Sequence, residues 1–99
     1  MRNSEILIVS LDTVYRNTLK MQVHVLFFGI VADLLGTDHL HMDFSGKNIL
    51  EFRQALIGNH PVLKSYSNYA IAINEHYATD EELVNEGDTL AIIPPVSGG

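Results

Sequence analysis

One segment, Asn48 to Pro61, carries the clearest helix signal in this chain, and strand-like segments flank it on both sides. Asn48 suits the N-cap and Glu51 the third helical position, which is a capping-box-like pair. The apolar residues of the segment recur at helical spacing: Ile49, Phe52, Leu56 and Ile57. We expect Gly58 to take the left-handed position after the helix, and Pro61 to prevent its continuation.

The flanking segments have the alternation and boundaries of β-strands. These predicted strands cover residues 22–28, 37–44, 69–73 and 89–93. Short helical turns are predicted over 30–35 and 79–84, and turns over 74–75 and 85–88. An irregular polar segment is predicted over 59–68. The order β-β-α-β-β, with one main helix packed on one face of a mixed sheet, is that of the ubiquitin-like β-grasp fold. We therefore predict an α+β domain of this type.

Alternation divides the strand residues between two sheet faces. The helix-covered face is predicted to hold Val23, Val25, Phe27, Leu90 and Ile92. The opposite face then holds Leu26, Phe28, Ala91 and Ile93. An apolar cluster of this kind on a small domain is typical of a partner-binding site. The alternative is that residues 59–68 or the N-terminal extension cover it.

Composition excludes several kinds of function. The chain has 99 residues, which fits one domain, and a net charge of −6 with no cysteine. Disulfides, thiolate catalysis, Cys-ligated zinc and iron–sulfur clusters are therefore excluded. An acidic protein repels phosphate backbones, so we expect no nucleic-acid partner. No apolar run approaches the roughly 18–20 residues that span a membrane, so we expect no membrane association and a cytoplasmic location.

The strand pattern starts directly after Met21, which divides the chain into two parts. We expect residues 1–20 to be a poorly ordered N-terminal extension. Residues 21–99 form the predicted domain, and residues 94–99 its flexible tail.

Two polar groups suggest other chemistry. His39 and His41 share one strand face, a spacing that can ligate a metal, but solvent-facing histidines are commoner and we predict no metal site. Asp80, Glu81 and Glu82 lack a hydrophobic pocket around them. We expect these three carboxylates to form a solvated face rather than an acid–base pair.

The tail contains the most specific motif, with six residues: Pro94, Pro95, Val96, Ser97, Gly98 and Gly99. Two prolines favour a stiff, extended exit from the sheet, and six extended residues reach about 20 Å. Glycine has no side chain, so Gly98 and Gly99 suit a narrow channel. Such a channel would receive the Gly99 carboxylate, which must be activated as an acyl-adenylate before sulfur or an amine can attack. No motif of this chain supplies that activation, so we predict a carrier and not a catalyst.

Three segments resemble the small subunit of molybdopterin synthase: 25–29 (VLFFG), 72–75 (AINE) and 86–99 (EGDTLAIIPPVSGG). The resemblance covers residues 21–99 and also implies a β-grasp fold. It implies that an activating enzyme of the ubiquitin-activating type uses ATP to adenylate Gly99, and that a sulfur donor system converts the adenylate to a thiocarboxylate. Sulfur then passes to cyclic pyranopterin monophosphate and builds the dithiolene of molybdopterin. No permanently bound cofactor is implied.

The same resemblance implies a large synthase subunit as partner, in a heterotetramer of two small and two large subunits, with the catalytic residues on the large subunit. It places hydrophobic docking positions at Phe28, Tyr77 and Ile93, and Leu26 joins them from the same apolar face. The family usually has an arginine after the first strand, where this chain has residues 30–33 (IVAD).

Three other functions stay open at this point. A sister sulfur carrier for thiamine or for tRNA thiolation would share the Gly-Gly tail, although such carriers generally lack the Pro-Pro-Val-Ser approach to it. A ubiquitin-like protein modifier would join Gly99 to lysines through the same tail. A plain interaction domain would have the tail only incidentally.

Overall fold

A mixed β-sheet is the main layer of the fold, seen in a computed structural model that describes residues 20–66 and 68–95. Its strands are β1 (Met21–Phe27), β2 (His39–Phe44), β3 (Ala70–Ile73), β4 (His76–Tyr77) and β5 (Thr89–Ile93). They lie in the order β2-β1-β5-β3-β4. The predictions for residues 1–19 and for the tail residues Val96, Ser97, Gly98 and Gly99 lie outside the described residues.

The helices connect the strands and cover one face of the sheet. Helix α1 (Gly29–Leu35) joins β1 to β2, and α2 (Ile49–Asn59) with a 3₁₀ helix (Pro61–Tyr66) joins β2 to β3. Strands β1 and β5 are parallel neighbours at the centre, and the other pairs are antiparallel. A mixed sheet with one main helix on one face confirms the predicted architecture. Of the helices in the described ranges, none is long and apolar enough to cross a membrane.

The N-terminus of α2 is capped as the sequence predicts. Asn48 has extended backbone geometry, and its side-chain oxygen accepts a hydrogen bond from the Glu51 amide at 3.0 Å. The Glu51 carboxylate in turn accepts from the Lys47 amide at 2.8 Å, one residue before the position of an ideal capping box. These bonds satisfy amide donors that a helix leaves unpaired at its start.

The core lies between α2 and the sheet. All five residues assigned to the helix-covered face are at most 2% exposed, which confirms the alternation argument: Val23, Val25, Phe27, Leu90 and Ile92. From the helix, Ile49, Phe52 and Leu56 are fully buried against them. Each such side chain contributes about 1.5–3 kcal/mol on burial. Phe44 of β2 meets Phe52 edge to face, with ring centroids 5.7 Å apart.

The prediction that Gly58 ends the helix is wrong. Helix α2 continues through Asn59, and the His60 amide still bonds to the Leu56 carbonyl at 2.8 Å. The α-helical hydrogen bonds stop at Pro61, because proline has no N–H to continue them. A glycine inside a helix is tolerated at a modest cost, so Gly58 is not needed as a stop.

Two segments differ from the sequence-based expectation. Residues 61–66 form the 3₁₀ helix, which fully buries Leu63, where an irregular polar segment was predicted. Residues 79–84 form no helix, and the predicted helical turn is reduced to a single turn in which the Glu82 amide donates to the Thr79 carbonyl at 3.2 Å. Two further carbonyls accept from the first amides of α2, with Ile49 donating to Glu82 and Leu50 to Asp80, both at 3.0 Å. Carbonyls used in this way are not available to pair within a helix of their own.

A short hairpin, β3–β4, was only half predicted. Asn74 and Glu75 form its turn with φ values of 47° and 77°, the left-handed pair that suits a tight hairpin. The Asn74 side chain also links the hairpin to the next loop, donating to Asp88 and accepting from the Thr89 amide, each at 3.0 Å. Strand β4 has two exposed residues, too few for a periodic pattern.

Tyr69 is buried with a hydroxyl that has no hydrogen-bond partner among the described residues. Burial raises the pKa of Tyr69, and the nearby Arg53 guanidinium partly opposes this. The same guanidinium lies 5.0 Å from the Tyr69 ring centre and donates to the Tyr69 carbonyl at 2.8 Å. The ring is therefore held by contacts that do not need the hydroxyl.

We expect Tyr69→Phe to raise the free energy of unfolding by about 1 kcal/mol, because a buried unpaired hydroxyl costs about 1–3 kcal/mol. The parent should also lose stability as pH rises from about 10 through the raised pKa of Tyr69, a loss that phenylalanine cannot show. Urea unfolding at neutral and alkaline pH measures both effects. A free energy of unfolding at neutral pH that is substantially lower for Tyr69→Phe than for the parent would contradict this account of the hydroxyl.

Candidate functional site

The sheet face that α2 leaves uncovered has one continuous row of residues across four strands. Strand register places Leu26 of β1 beside Ala91 of β5, Ala91 beside Ala72 of β3, and Ala72 beside Tyr77 of β4. Cross-strand neighbours of this kind have Cβ atoms about 4.5–5.5 Å apart in antiparallel pairs. The row therefore forms a single surface from residues that are up to 65 positions apart in sequence.

This row is part of a groove of about 330 Å³, which we call the outer groove. Its lining is Leu26, Phe28, Ala72, Glu75, Tyr77, Thr89, Ala91 and Ile93. The two alanines form a floor of methyl groups, and larger side chains rise around it. Phe28 is 49% exposed and Tyr77 is 72% exposed. Aromatic side chains this exposed beside a concave apolar floor are typical of a protein-binding surface.

The four docking residues named from the sequence thus lie together in one groove. Leu26, Phe28 and Ile93 come from the two central strands and their ends, as alternation predicted. Tyr77 joins them only because β4 pairs with β3. Sequence reasoning missed Ala72, Glu75 and Thr89 as lining residues. Alternation along β5 puts Thr89 on the same face as Ala91 and Ile93, so the sequence already held the signal for Thr89. Ala72 and Glu75 could be placed only by the pairing of β3 with β5, which no local pattern shows.

The tail leaves the sheet at one end of this groove. Strand β5 ends at Ile93, and Pro94 and Pro95 follow it directly. At the neighbouring corner, the Phe28 amide donates to the Ile92 carbonyl at 3.3 Å. Gly29 has φ +57°, and a Cβ there would lie 3.1 Å from the Pro94 ring. The first tail residue is therefore packed against the β1–α1 corner, beside Phe28.

A histidine cluster lies on the same uncovered face. The rings of His24 and His41 stack with centroids 4.8 Å apart and planes 19° apart, and the His39 ring is 6.0 Å from that of His24. Asp38 is hydrogen-bonded to His39 at 2.7 Å, which lowers the pKa of Asp38. Within residues 20–66 and 68–95, no group of three or more His, Cys, Asp or Glu has the geometry of a metal site.

The acidic residues near position 81 have structural partners. Asp80 accepts from Arg53 Nε at 3.2 Å, which ties this loop to α2. Glu82 lies 2.8 Å from His76 Nε2. Glu81 is exposed. The Asp80 contact holds the loop beside α2, and the Glu82 contact holds it beside β4.

Residues 25–99 match the ThiS family. The chain belongs to this family. A relative from Arabidopsis thaliana, described as molybdopterin synthase sulfur carrier subunit, is 35% identical over 85 residues, which cover 84% of this chain and 88% of the relative. The family resemblance inferred from the motifs is thereby confirmed.

Solved structures agree on the fold of this ThiS-family chain. SAMP1 from Haloferax volcanii superposes with a TM-score of 0.69 at 30% identity, covering 79% of this chain and 99% of that one. A complex of subunits 1 and 2 of molybdopterin-converting factor from Helicobacter pylori contains a chain with TM-score 0.59 and 27% identity, covering 80% of this chain and all of that one. The ubiquitin-like β-grasp fold is therefore shared with both proteins.

Proposed function

We propose that this chain is the sulfur carrier subunit of molybdopterin synthase. The observation that carries the proposal is the position of the tail: the segment that ends in Gly98-Gly99 leaves the last strand beside an exposed apolar groove. A carrier needs both features, since the tail bears the transferred sulfur and the groove binds the partner that receives the tail. The names of the curated relatives support the same function.

The cargo is carried by the Gly99 carboxylate. A carboxylate is a poor acyl donor, so an activating enzyme uses ATP to form the Gly99 acyl-adenylate and releases pyrophosphate. A sulfur donor system then delivers sulfur to the acyl carbon, AMP leaves, and a thiocarboxylate results. The thiocarboxylate donates its sulfur to cyclic pyranopterin monophosphate to build molybdopterin. The chain supplies the carried group and its positioning, and its partners supply the catalysis.

The outer groove is the proposed docking surface for the large subunit. Its alanine floor accepts apolar side chains of the partner, and Phe28 and Tyr77 enlarge the contact. From Pro94, six extended residues reach about 20 Å, enough to place Gly99 in a deep pocket of the bound subunit. The Helicobacter pylori relative is found in a two-subunit complex, which supports a large-subunit partner. The further proposals are assembly as a heterotetramer and action in the cytoplasm.

A second candidate function is protein modification, favoured by the likeness to SAMP1, a small archaeal modifier protein. A modifier uses the same adenylated glycine but transfers it to a lysine amine, which leaves a stable amide. A carrier for thiamine or tRNA thiolation would use the thiocarboxylate itself. A protein modifier and a sulfur carrier therefore differ in the covalent product at Gly99: an amide for the modifier and a thiocarboxylate for the carrier.

Deletion of Gly99 tests the carrier function. We expect the full chain to restore molybdoenzyme activity in cells that lack their own small subunit. The shortened chain should fail, because its terminal carboxylate lies one residue short of the position that the partner's active site requires. Equal thermal unfolding of the two proteins is the control for folding. Restoration of activity by the shortened chain would contradict the proposal.

Intact-mass measurement identifies the covalent product. After incubation with ATP, the activating enzyme and a sulfur donor, we expect the chain to gain the mass difference between one sulfur and one oxygen atom. A chain whose last residue is Gly98 serves as the comparison. A ladder of conjugates to other proteins, with no thiocarboxylate, would favour the modifier function instead.

Truncation of groove residues tests the docking surface. We expect Phe28→Ala and Ile93→Ala each to weaken large-subunit binding by about 2 kcal/mol, or roughly 30-fold, because an interface anchor contributes on this scale. Leu50→Ala is the matched control, since Leu50 is 44% exposed on α2, away from the groove. Calorimetry measures the affinities. Equal affinity of the Phe28 and Ile93 variants and the parent would exclude the groove as the docking site.

A further inference from the structure

The histidine cluster (His24, His39 and His41) continues the row of residues that forms the outer groove. Strand register places His39 of β2 directly beside Leu26, which is itself the first member of the row. His24 lies on β1 beside His41. The row therefore extends across all five strands, from His39 at one edge to Tyr77 at the other.

A second concave region joins the cluster to the groove. It has a volume of about 540 Å³, and its lining includes His24, His39, Leu26 and Phe28. Leu26 and Phe28 also line the outer groove, so these two side chains are the wall between the two concavities. A partner that buries both sides of Phe28 covers the imidazoles of His24 and His39 as well.

The size of an ordinary interface also indicates that a partner covers more than the outer groove. A stable protein–protein interface buries about 800 Å² on each partner and involves about 20–30 residues a side. The outer groove has eight lining residues. The footprint of a partner must extend beyond it, and the histidine cluster is the adjoining surface along the row.

Three carboxylates flank the strands of the cluster, and each has a hydrogen-bond partner. Asp38, which lines the same concavity as His24, is bonded to His39. Asp43, on β2, accepts from Gln22 Nε2 at 3.3 Å, and Asp88, just before β5, is held by Asn74 and by the Asn85 amide. Among the described residues, no carboxylate is bonded to the ring of His24 or of His41. These two rings are stacked with centroids 4.8 Å apart, so protonation of both would place two like charges in contact.

We propose that the docking surface for the large subunit extends from the outer groove across His24, His39 and His41. Protonation of both His24 and His41 then opposes docking, because burial under a partner strengthens the repulsion between two stacked like charges. This inference rests on the proposed function, since it extends the docking surface of the same partner.

The test compares affinities for the large subunit at two pH values, using the full chain. Calorimetry at about pH 7.5 and about pH 5.5 brackets the ordinary titration of histidine. The variant His24→Gln with His41→Gln removes both titrating rings and keeps polar side chains of similar size. His60→Gln is the matched control, since His60 follows α2, away from this face. Circular dichroism of each protein at both pH values shows that the fold is kept.

We expect the parent and the His60 variant to lose affinity by about tenfold or more between the higher and the lower pH. The fold-loss of affinity between the two pH values should be less than about a third as large for the double variant as for the parent. This comparison stays valid even if the double variant binds more weakly than the parent at both pH values. Equal losses in parent and double variant, or tighter binding of the parent at the lower pH, would overturn the inference alone. Absence of parent binding at the higher pH would overturn the proposed function, and the inference with it.

Discussion

The parallel pairing of β1 with β5 places two apolar strands at the centre of a sheet that has only one main helix to cover it. Val25 and Leu90 are fully buried under that helix, and their neighbours Leu26 and Ala91 face the other way. Apolar strands at the centre of a sheet favour burial on both faces. Among the described residues, the other face is therefore left with the exposed apolar surface of the outer groove.

The same pairing directs the tail. Strand β5 runs parallel to β1, so its end lies beside the end of β1 and the corner that follows it. Gly29 approaches the Pro94 ring at this corner, and Phe28 stands next to it. The groove and the exit of the tail are thus set by one structural element. In the proposed function, a partner bound in the groove therefore lies beside the point where the tail leaves the sheet.

The helix is held over the core by contacts from far along the chain. The carbonyls of Asp80 and Glu82 accept its first free amides, and Arg53 bonds both to Asp80 and to the Tyr69 carbonyl. Because α2 uses these carbonyls, residues 79–84 form a single turn and not a helix. A local pattern favoured a turn of helix there. The carbonyls of the segment instead accept hydrogen bonds from amides at the start of α2 that would otherwise be unpaired.

Much of the fold was determined by the sequence alone, because its signals are local. The Asn48 cap, the strand alternation and the proline break after Ile93 act through neighbouring residues, and they predicted the helix start, the two sheet faces and the exit of the tail. The family resemblance named Tyr77 as a docking position, but only the tertiary structure showed how Tyr77 reaches the groove and joined the histidines to it. Those contacts depend on strand order and register, which bring residues from distant parts of the chain into one row and which no local pattern records.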